Sequence, residues 1–259
     1  MKKITIIGGG NLGTAIAGGL LKSGKFSPEN ITITKRNLET LKKLSSLGVH
    51  VISDNYEAVQ HADIVILAVK PFQIQEILTN TAFHKGQIVI SAITGVWLKD
   101  LRQWIGNEVT LFRAMPNTAI AIQQSMTCIS NDGAGAEQIA IVKELFEILG
   151  EVTFIEEKLM DAATVLGACG TAFALRYIRA SIQGGIQIGF SAEQASFIVA
   201  QTVKGAAELL LTNHTHPEQE IDKVTTPRGC TIAGLNELEH KGFSSALIKG
   251  LVASYDKIA

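Results

Sequence analysis

The stretch Lys3–Gly24, KITIIGGGNLGTAIAGGLLKSG, decides the fold. Lys3 to Ile7 is a short apolar run of β type, and the glycines Gly8, Gly9, Gly10 and Gly13 follow it at once. From Thr14 to Leu21 the Ala, Ile and Leu spacing suits a buried helix closed by Gly24. A strand, a glycine turn and a helix in that order form the G-x-G-x-x-G fingerprint of dinucleotide binding. Gly8 makes the tight turn, Gly10 lets a pyrophosphate approach the backbone, and Gly13 lets helix pack closely on strand. A lone triplet of this kind is weak, but its place directly after a first strand makes it considerably stronger. The alternative is a tight βα turn that binds nothing. The apolar run in MKKITIIGGG is too short for a signal peptide, so a strand fits better.

Working outward, a second strand over Ile31 to Thr34 ends where an NAD-binding protein usually carries an acid for the ribose 2′-OH. Here Thr34, Lys35, Arg36 and Asn37 stand instead, two cations with two small hydrogen-bonding side chains. That set suits a 2′-phosphate, which a carboxylate would repel; a solvated strand end with chance charges is the alternative. A helix over Leu38 to Leu47, a strand over Val49 to Ile52 and a polar turn holding Asn55 come next. DIVILAVKP, Asp63 to Pro71, is an unbroken β-branched run of the kind buried on both faces of a parallel sheet, with Lys70 and Pro71 at its carboxyl end. Gln87 to Ile90 and Thr110 to Phe112 read as strands leading into the polar loops SAITGV and RAMPNT. A strand over Met126 to Ile129, a helix over Ala136 to Leu149 and a strand over Val152 to Ile155 close this part. Beyond it the pattern is helical, over about 158–189, 191–212 and 230 to the end, with breaks near the glycines and Pro217.

Length and composition agree with a soluble two-part chain. Its 259 residues are 46% hydrophobic and 18% charged, enough for a sizeable core. A net charge of −1 gives no electrostatic footprint for nucleic acid or an anionic membrane. The apolar stretch Ala162 to Ile182 is interrupted by Arg176 and Arg179, which argues against a membrane span. Cys128, Cys169 and Cys230 form no CxxC pattern, which fits a reducing cytoplasm. His214 and His216 lack ligand partners at metal spacing, so no metal is expected.

The remaining informative stretch is Asp222 to Leu235, DKVTTPRGCTIAGL. Pro227 and Gly229 shape a turn, and Thr231 opens an apolar-periodic helix through Ile232, Leu235 and Leu238. Free N–H groups at such a mouth, flanked by the hydroxyls of Thr225, Thr226 and Thr231, suit a carboxylate; an ordinary capped helix start is the plain alternative.

This stretch resembles the substrate loop of the pyrroline-5-carboxylate reductases, VTSPGGTTIAGL, matching at Val224, Thr225, Pro227, Gly229 and Thr231 to Leu235. Thr226 stands for the usual Ser, Arg228 for the first Gly of the pair and Cys230 for a small residue. AVKP at Ala68 to Pro71 and RAMPNT at Arg113 to Thr118 also match that family, with Ala119 replacing a Pro. So does EEKLMDAATVLGACGTAFAL from Glu156, where Gly167 to Thr171 replace the usual SGSGP. The likeness implies that Ile7, Gly8, Gly9, Gly10, Asn11, Leu12, Thr34, Asn55, Ala68, Val69, Lys70, Pro71, Ala92, Ile93 and Thr94 line an NADP(H) site. Lys35 and Arg36 join them on charge. It also gives Glu157 a cofactor or substrate-side role, although an exposed acid at a helix start is the simpler reading. Arg113 and Asn117 read either as loop anchors or as ligand contacts.

The expected architecture is α/β: a Rossmann-type doubly wound sheet over residues 1–155, followed by an all-α domain over 156–259 for dimerisation and substrate. The resemblance implies NADPH-dependent reduction of 1-pyrroline-5-carboxylate to L-proline, NADH serving less well, in a homodimer or higher oligomer. Chemistry then assigns roles at the last stretch: the N–H groups of Gly229 and Cys230 with Thr226 hold the carboxylate, and the catalytic Thr231 hydroxyl meets the ring nitrogen. Two other readings compete. A 3-hydroxyacid dehydrogenase would want a Lys base on the first long helix of the second domain, and Asp161 to Gln187 contains none. A non-catalytic NADP-binding module would explain the altered GACGT and TPRGC segments.

Overall fold

The structure, a computed structural model, describes residues 2–258. Eight strands form one sheet: β1 (Ile4–Ile7), β2 (Ile31–Thr34), β3 (His50–Ile52), β4 (Ile64–Leu67), β5 (Ile88–Ser91), β6 (Thr110–Met115), β7 (Ser125–Asn131) and β8 (Gly150–Phe154). Their order is β3-β2-β1-β4-β5-β6-β7-β8, parallel except that β7 runs antiparallel to β6. The first six strands thus have the doubly wound Rossmann order, and β7 and β8 extend it at one edge. Register is fixed by pairs such as Ile4 with Ile31 on one side and with Ile64 on the other.

Continuous β-branched runs are required because both faces of the sheet are covered. Ile4, Ile6, Ile33, Ile66, Ile90 and Phe112 join one core with α1 (Asn11–Lys22) and α6 (Ala136–Glu147). Ile7, Val65, Leu67, Val89 and Leu111 join a second core with α4 (Ile74–Thr79) and α5 (Leu98–Ile105). Each of these side chains is at most 4% exposed, worth about 1.5–3 kcal/mol apiece in transfer free energy. Two single-turn helices, α2 (Lys42–Ser46) and α3 (Asn55–Val59), complete the crossovers near β3.

Several expectations need correction. The segment Leu38 to Leu47 is a 3-10 turn, Leu38–Leu41, followed by α2. Asn55 begins α3, capped by Asp54, rather than sitting in a plain turn. Strand β6 runs to Met115, so Arg113 lies inside the sheet at 1% exposure and not in a polar loop. The helical pattern from 158 is broken into a 3-10 turn (Glu157–Leu159), α7 (Met160–Ala163), a π-helical turn (Thr164–Cys169) and α8 (Gly170–Gln187).

The contacts divide the chain into two compact units, one running to Cys169 and taking up the last residues from Tyr255, the other Gly170–Ser254. The parting falls later than residue 155 because α7 and the π turn pack on β6 and β7. The second unit is helical: α8, α9 (Ala192–Asn213), α10 (Pro217–Lys223), α11 (Cys230–His240) and α12 (Phe243–Asp256), whose last two residues belong to the first unit. Ser191 and Gln194 form a capping box that opens α9, and Pro217 opens α10 behind His216. Gly242, at φ +77°, separates α11 from α12 where one helix was expected; its final residue, Ala259, lies outside the described residues. Helices α8 and α9 pack on each other, and the Tyr177 and Phe243 rings meet edge to face at 6.3 Å. Residues 157–187 are long and apolar enough to cross a membrane by length and composition, but include Arg176 and Arg179.

Candidate functional site

Open α/β sheets bind ligands where the strand order reverses, here between β1 and β4. The Ala68 N–H donates to the Ile7 carbonyl across that point at 2.8 Å. Gly8 stands there at φ +110°, and a Cβ would lie 2.5 Å from the Ala68 carbonyl oxygen, so no other residue fits. A Cβ on Gly13 would lie 2.0 Å from the Gly8 carbonyl oxygen, which is how α1 approaches β1 so closely. At Gly10, the N-cap of α1, a Cβ would meet nothing within 4 Å. The open space above it is what a pyrophosphate would need.

Around this turn lies a groove of ≈ 780 Å³. Ile7, Gly8, Gly9, Gly10, Asn11, Leu12, Thr34, Lys35, Arg36, Asn55, Ala68, Val69, Lys70, Pro71, Ala92 and Thr94 all line it. The Ile93 side chain does not; it is 1% exposed and packed in the second core. The N-terminal end of α1 carries no acid in its first turn, so its free N–H groups and dipole remain available to an anion. Lys35 and Arg36 add positive charge beyond the end of β2. These residues fit the phosphates of a dinucleotide.

Thr34, which lines the groove, is also engaged within the protein. It is 2% exposed, its Oγ1 accepts from the Gly8 N–H at 3.3 Å, and its hydroxyl donates to Asn55 Oδ1 at 2.6 Å. Its backbone carbonyl also accepts the Gly9 N–H at 2.7 Å. Thr34 and Asn55 therefore hold the glycine turn in shape. Ser53, Gln73, Ile77 and Thr118 also line the groove and were missed. Ser53 stands just past β3 at the ligand edge, a placement that could have flagged it. Gln73 and Ile77 sit on a 3-10 turn and the short α4, which carry no readable periodicity.

Arg113 and Asn117 are anchors. Arg113 Nη1 donates to Glu157 Oε1 at 3.2 Å, Nη2 lies 3.7 Å from Asp161 Oδ1, and the guanidinium sits 5.6 Å from the Trp97 ring centroid. Asn117 caps the 3-10 turn Thr118–Ile122 and donates to the Gly167 carbonyl of the π turn at 3.1 Å. Glu157 is not the exposed acid expected. Its Oε1 also accepts the Leu98 N–H at 2.6 Å, and its side chain is 23% exposed. Sequence spacing could not show a partner 44 residues away.

In the second unit, Thr226-Pro227-Arg228-Gly229 forms a turn closed by the Gly229 N–H donating to the Thr226 carbonyl at 2.9 Å. Pro in second place and φ +61° at Arg228 in third give the pattern of a type II turn. The Gly229 N–H is therefore already occupied, which corrects its assignment as a carboxylate donor. A Cβ on Gly229 would lie 2.6 Å from Thr226 Oγ1, so glycine serves packing here. Cys230 and Thr231 open α11 as its first two residues, where helical N–H groups lack intrahelical partners. Burial raises the Cys128 thiol above its ordinary range. Among the described residues, no group of three His, Cys, Asp or Glu side chains could hold a metal ion.

Comparison with known proteins gives concordant results. Residues 157–259 match a family profile described as pyrroline-5-carboxylate reductase dimerisation, and residues 3–95 match one described as NADP oxidoreductase coenzyme F420-dependent. The chain is 47% identical to Pyrroline-5-carboxylate reductase 1 of Dictyostelium discoideum over 99% of its own length, spanning 49% of that relative. It is 43% identical to Pyrroline-5-carboxylate reductase 2 of the same organism, covering 99% of this chain and 92% of the relative. The crystal structure of Plasmodium falciparum pyrroline carboxylate reductase with NADP bound superposes with a TM-score of 0.91 at 26% identity, covering 99% of this chain and 97% of that one.

Proposed function

The chain belongs to the pyrroline-5-carboxylate reductase family, and from that premise we infer that it reduces 1-pyrroline-5-carboxylate to L-proline with NADPH. The observation that carries the reading is the groove at the β1–β4 switch point, where a glycine cradle and a helix N-terminus adjoin Lys35 and Arg36 without an opposing acid after β2. When bound there, NADPH supplies the hydride. The chain's own residues bind and orient. Lys35 and Arg36 favour the 2′-phosphate over a bare ribose, so NADH serves less well.

A cyclic imine carboxylate needs its anion held and its ring nitrogen given a hydrogen-bond partner. We assign the anion to the Cys230 N–H and the Thr226 hydroxyl, with Gly229 shaping the turn, and the ring nitrogen to the Thr231 hydroxyl. This is catalysis by positioning and electrostatics. Thr231→Ala is expected to lower kcat/KM by about 10- to 100-fold with NADPH affinity unchanged, and Thr231→Ser to recover most of it. Full turnover by a folded Ala variant would reduce Thr231 to a helix residue.

The enzyme works as a homodimer or larger assembly built through its helical unit, in a reducing cytoplasm where its three cysteines stay as thiols. The test of the activity is NADPH oxidation by the purified protein. Oxidation that depends on added 1-pyrroline-5-carboxylate is expected; NADPH binding without such oxidation would overturn the reading.

A further inference from the structure

Among the described residues, the buried side-chain atoms with no hydrogen-bond partner are Ser91 Oγ, Arg113 Nε and Nη2, Ser130 Oγ and Asp161 Oδ1. They are gathered in one place. Register pairs Ser91 of β5 with Arg113 of β6, and Arg113 with Ser130 of β7, so the three side chains stand in one row on one face. Asp161 approaches Arg113 Nη2 from α7. A guanidinium buried in such an under-satisfied setting is a poor device for stability, since well-packed apolar residues would do as well or better. Its contacts show what it does instead. Through Glu157, Arg113 reaches the Leu98 N–H, and its own face lies over Trp97. Two consecutive residues are thus tied down at the exit of the loop from Ala92 to Val96. That loop leaves the carboxyl end of β5 and carries Ala92 and Thr94 into the groove.

We propose that Arg113 is a positioning residue for the cofactor: acting through Glu157 and Trp97, it fixes the loop after β5 in the shape the dinucleotide groove requires. The proposal rests on the dinucleotide reading of the groove. The loop wall is made ready before ligand arrives, so ordering it costs nothing on binding.

The test titrates NADPH into the purified full-length protein and its variants, and follows hydrogen exchange at the Leu98 amide. Glu157→Ala removes the link between Arg113 and the loop and is expected to weaken NADPH about 10-fold, the size of one charge-assisted hydrogen bond. Glu157→Gln keeps an oxygen for the Leu98 N–H and should lose only about 3-fold, with Arg113→Lys, which keeps charge but not the fork, between the two. Exchange at Leu98 should quicken in the same order, while kcat at saturating NADPH stays near the parent value. Ser130→Ala, in the same buried row but without contact to the loop, should change neither affinity nor Leu98 exchange. Unchanged affinity in folded Glu157→Ala would overturn the proposal, as would an equal loss in Ser130→Ala. Should Glu157→Ala fail to fold, Glu157→Gln decides, and parent-like affinity there overturns it. A parent protein that binds no NADPH would sink the groove reading itself, and this proposal with it.

Discussion

Arg228 holds a left-handed backbone at φ +61° in third place of its turn, where the pattern favours glycine. An L side chain in that region costs about 1–2 kcal/mol, partly offset by the freedom a glycine would have in the unfolded chain. Arg228→Gly is therefore expected to stabilise the protein by up to about 1 kcal/mol in a thermal or denaturant melt, and a loss of stability would show that the Arg228 side chain makes a compensating contact. Arg36 lines the groove and is exposed. Arg36→Ala should weaken NADPH about 10- to 100-fold and spare NADH; equal loss for both cofactors would make Arg36 structural. A residue's place at the groove was readable where it follows from position in the sequence, as with Lys35 and Arg36 just after β2. A residue's partner was not readable where it is distant. The hydrogen bond from Thr34 to Asn55 shows only in the fold, and Glu157 reads as a surface acid until Leu98 and Arg113 are seen converging on it.

At the scale of elements, the unit of β1, glycine turn and α1 is held together by absent side chains. Gly13→Ala would place a Cβ 2.0 Å from the Gly8 carbonyl oxygen, backbone that cannot swing aside. Helix and strand must separate, at a cost of about 1–3 kcal/mol, and NADPH affinity should fall in step with the melting temperature. Gly10→Ala meets nothing in the protein itself, so it should keep the melting temperature and lose NADPH alone; retained affinity would mean the phosphates lie elsewhere. The central strands β1, β4 and β5 were legible because burial on both faces demands β-branched runs, a pattern few other elements share, while β3 and β8, only partly buried, were legible as short apolar runs between turn residues. The crossovers α3, α4 and α5 were not, since five to eight residues offer too few turns for a helical period to show. The end of β6 was misjudged for another reason. Arg113 carries the strongest polar signal in its segment, and only the acids of α7 and its preceding turn explain how a cation could continue a buried strand.

For the whole molecule, the helical unit leaves Leu175, Ile188, Phe197, Leu211 and Ile248 between 57% and 78% exposed, more apolar surface than an isolated chain would carry. Sedimentation at micromolar concentration is expected to give a dimer or larger species, and Phe197→Asp to shift it toward monomer; a monomeric parent would refute assembly through this unit. The two-part plan was legible from the loss of strand signals after residue 155, next to the start of the dimerisation match at residue 157; that residues up to Cys169 join the first compact unit depends on α7 and the π turn packing back on the sheet. The strand order carries a further consequence for the growing chain. Of the eight strands β1 is made earliest, yet it belongs inside the sheet, with β2 on one flank and β4 on the other. Until residues 64–67 emerge, one edge of Ile4–Ile7 has no native mate. Synthesis at about 5–20 residues per second leaves that edge open for seconds. The segment that later frames the cofactor is thus, at birth, the one most in need of shelter from other nascent chains.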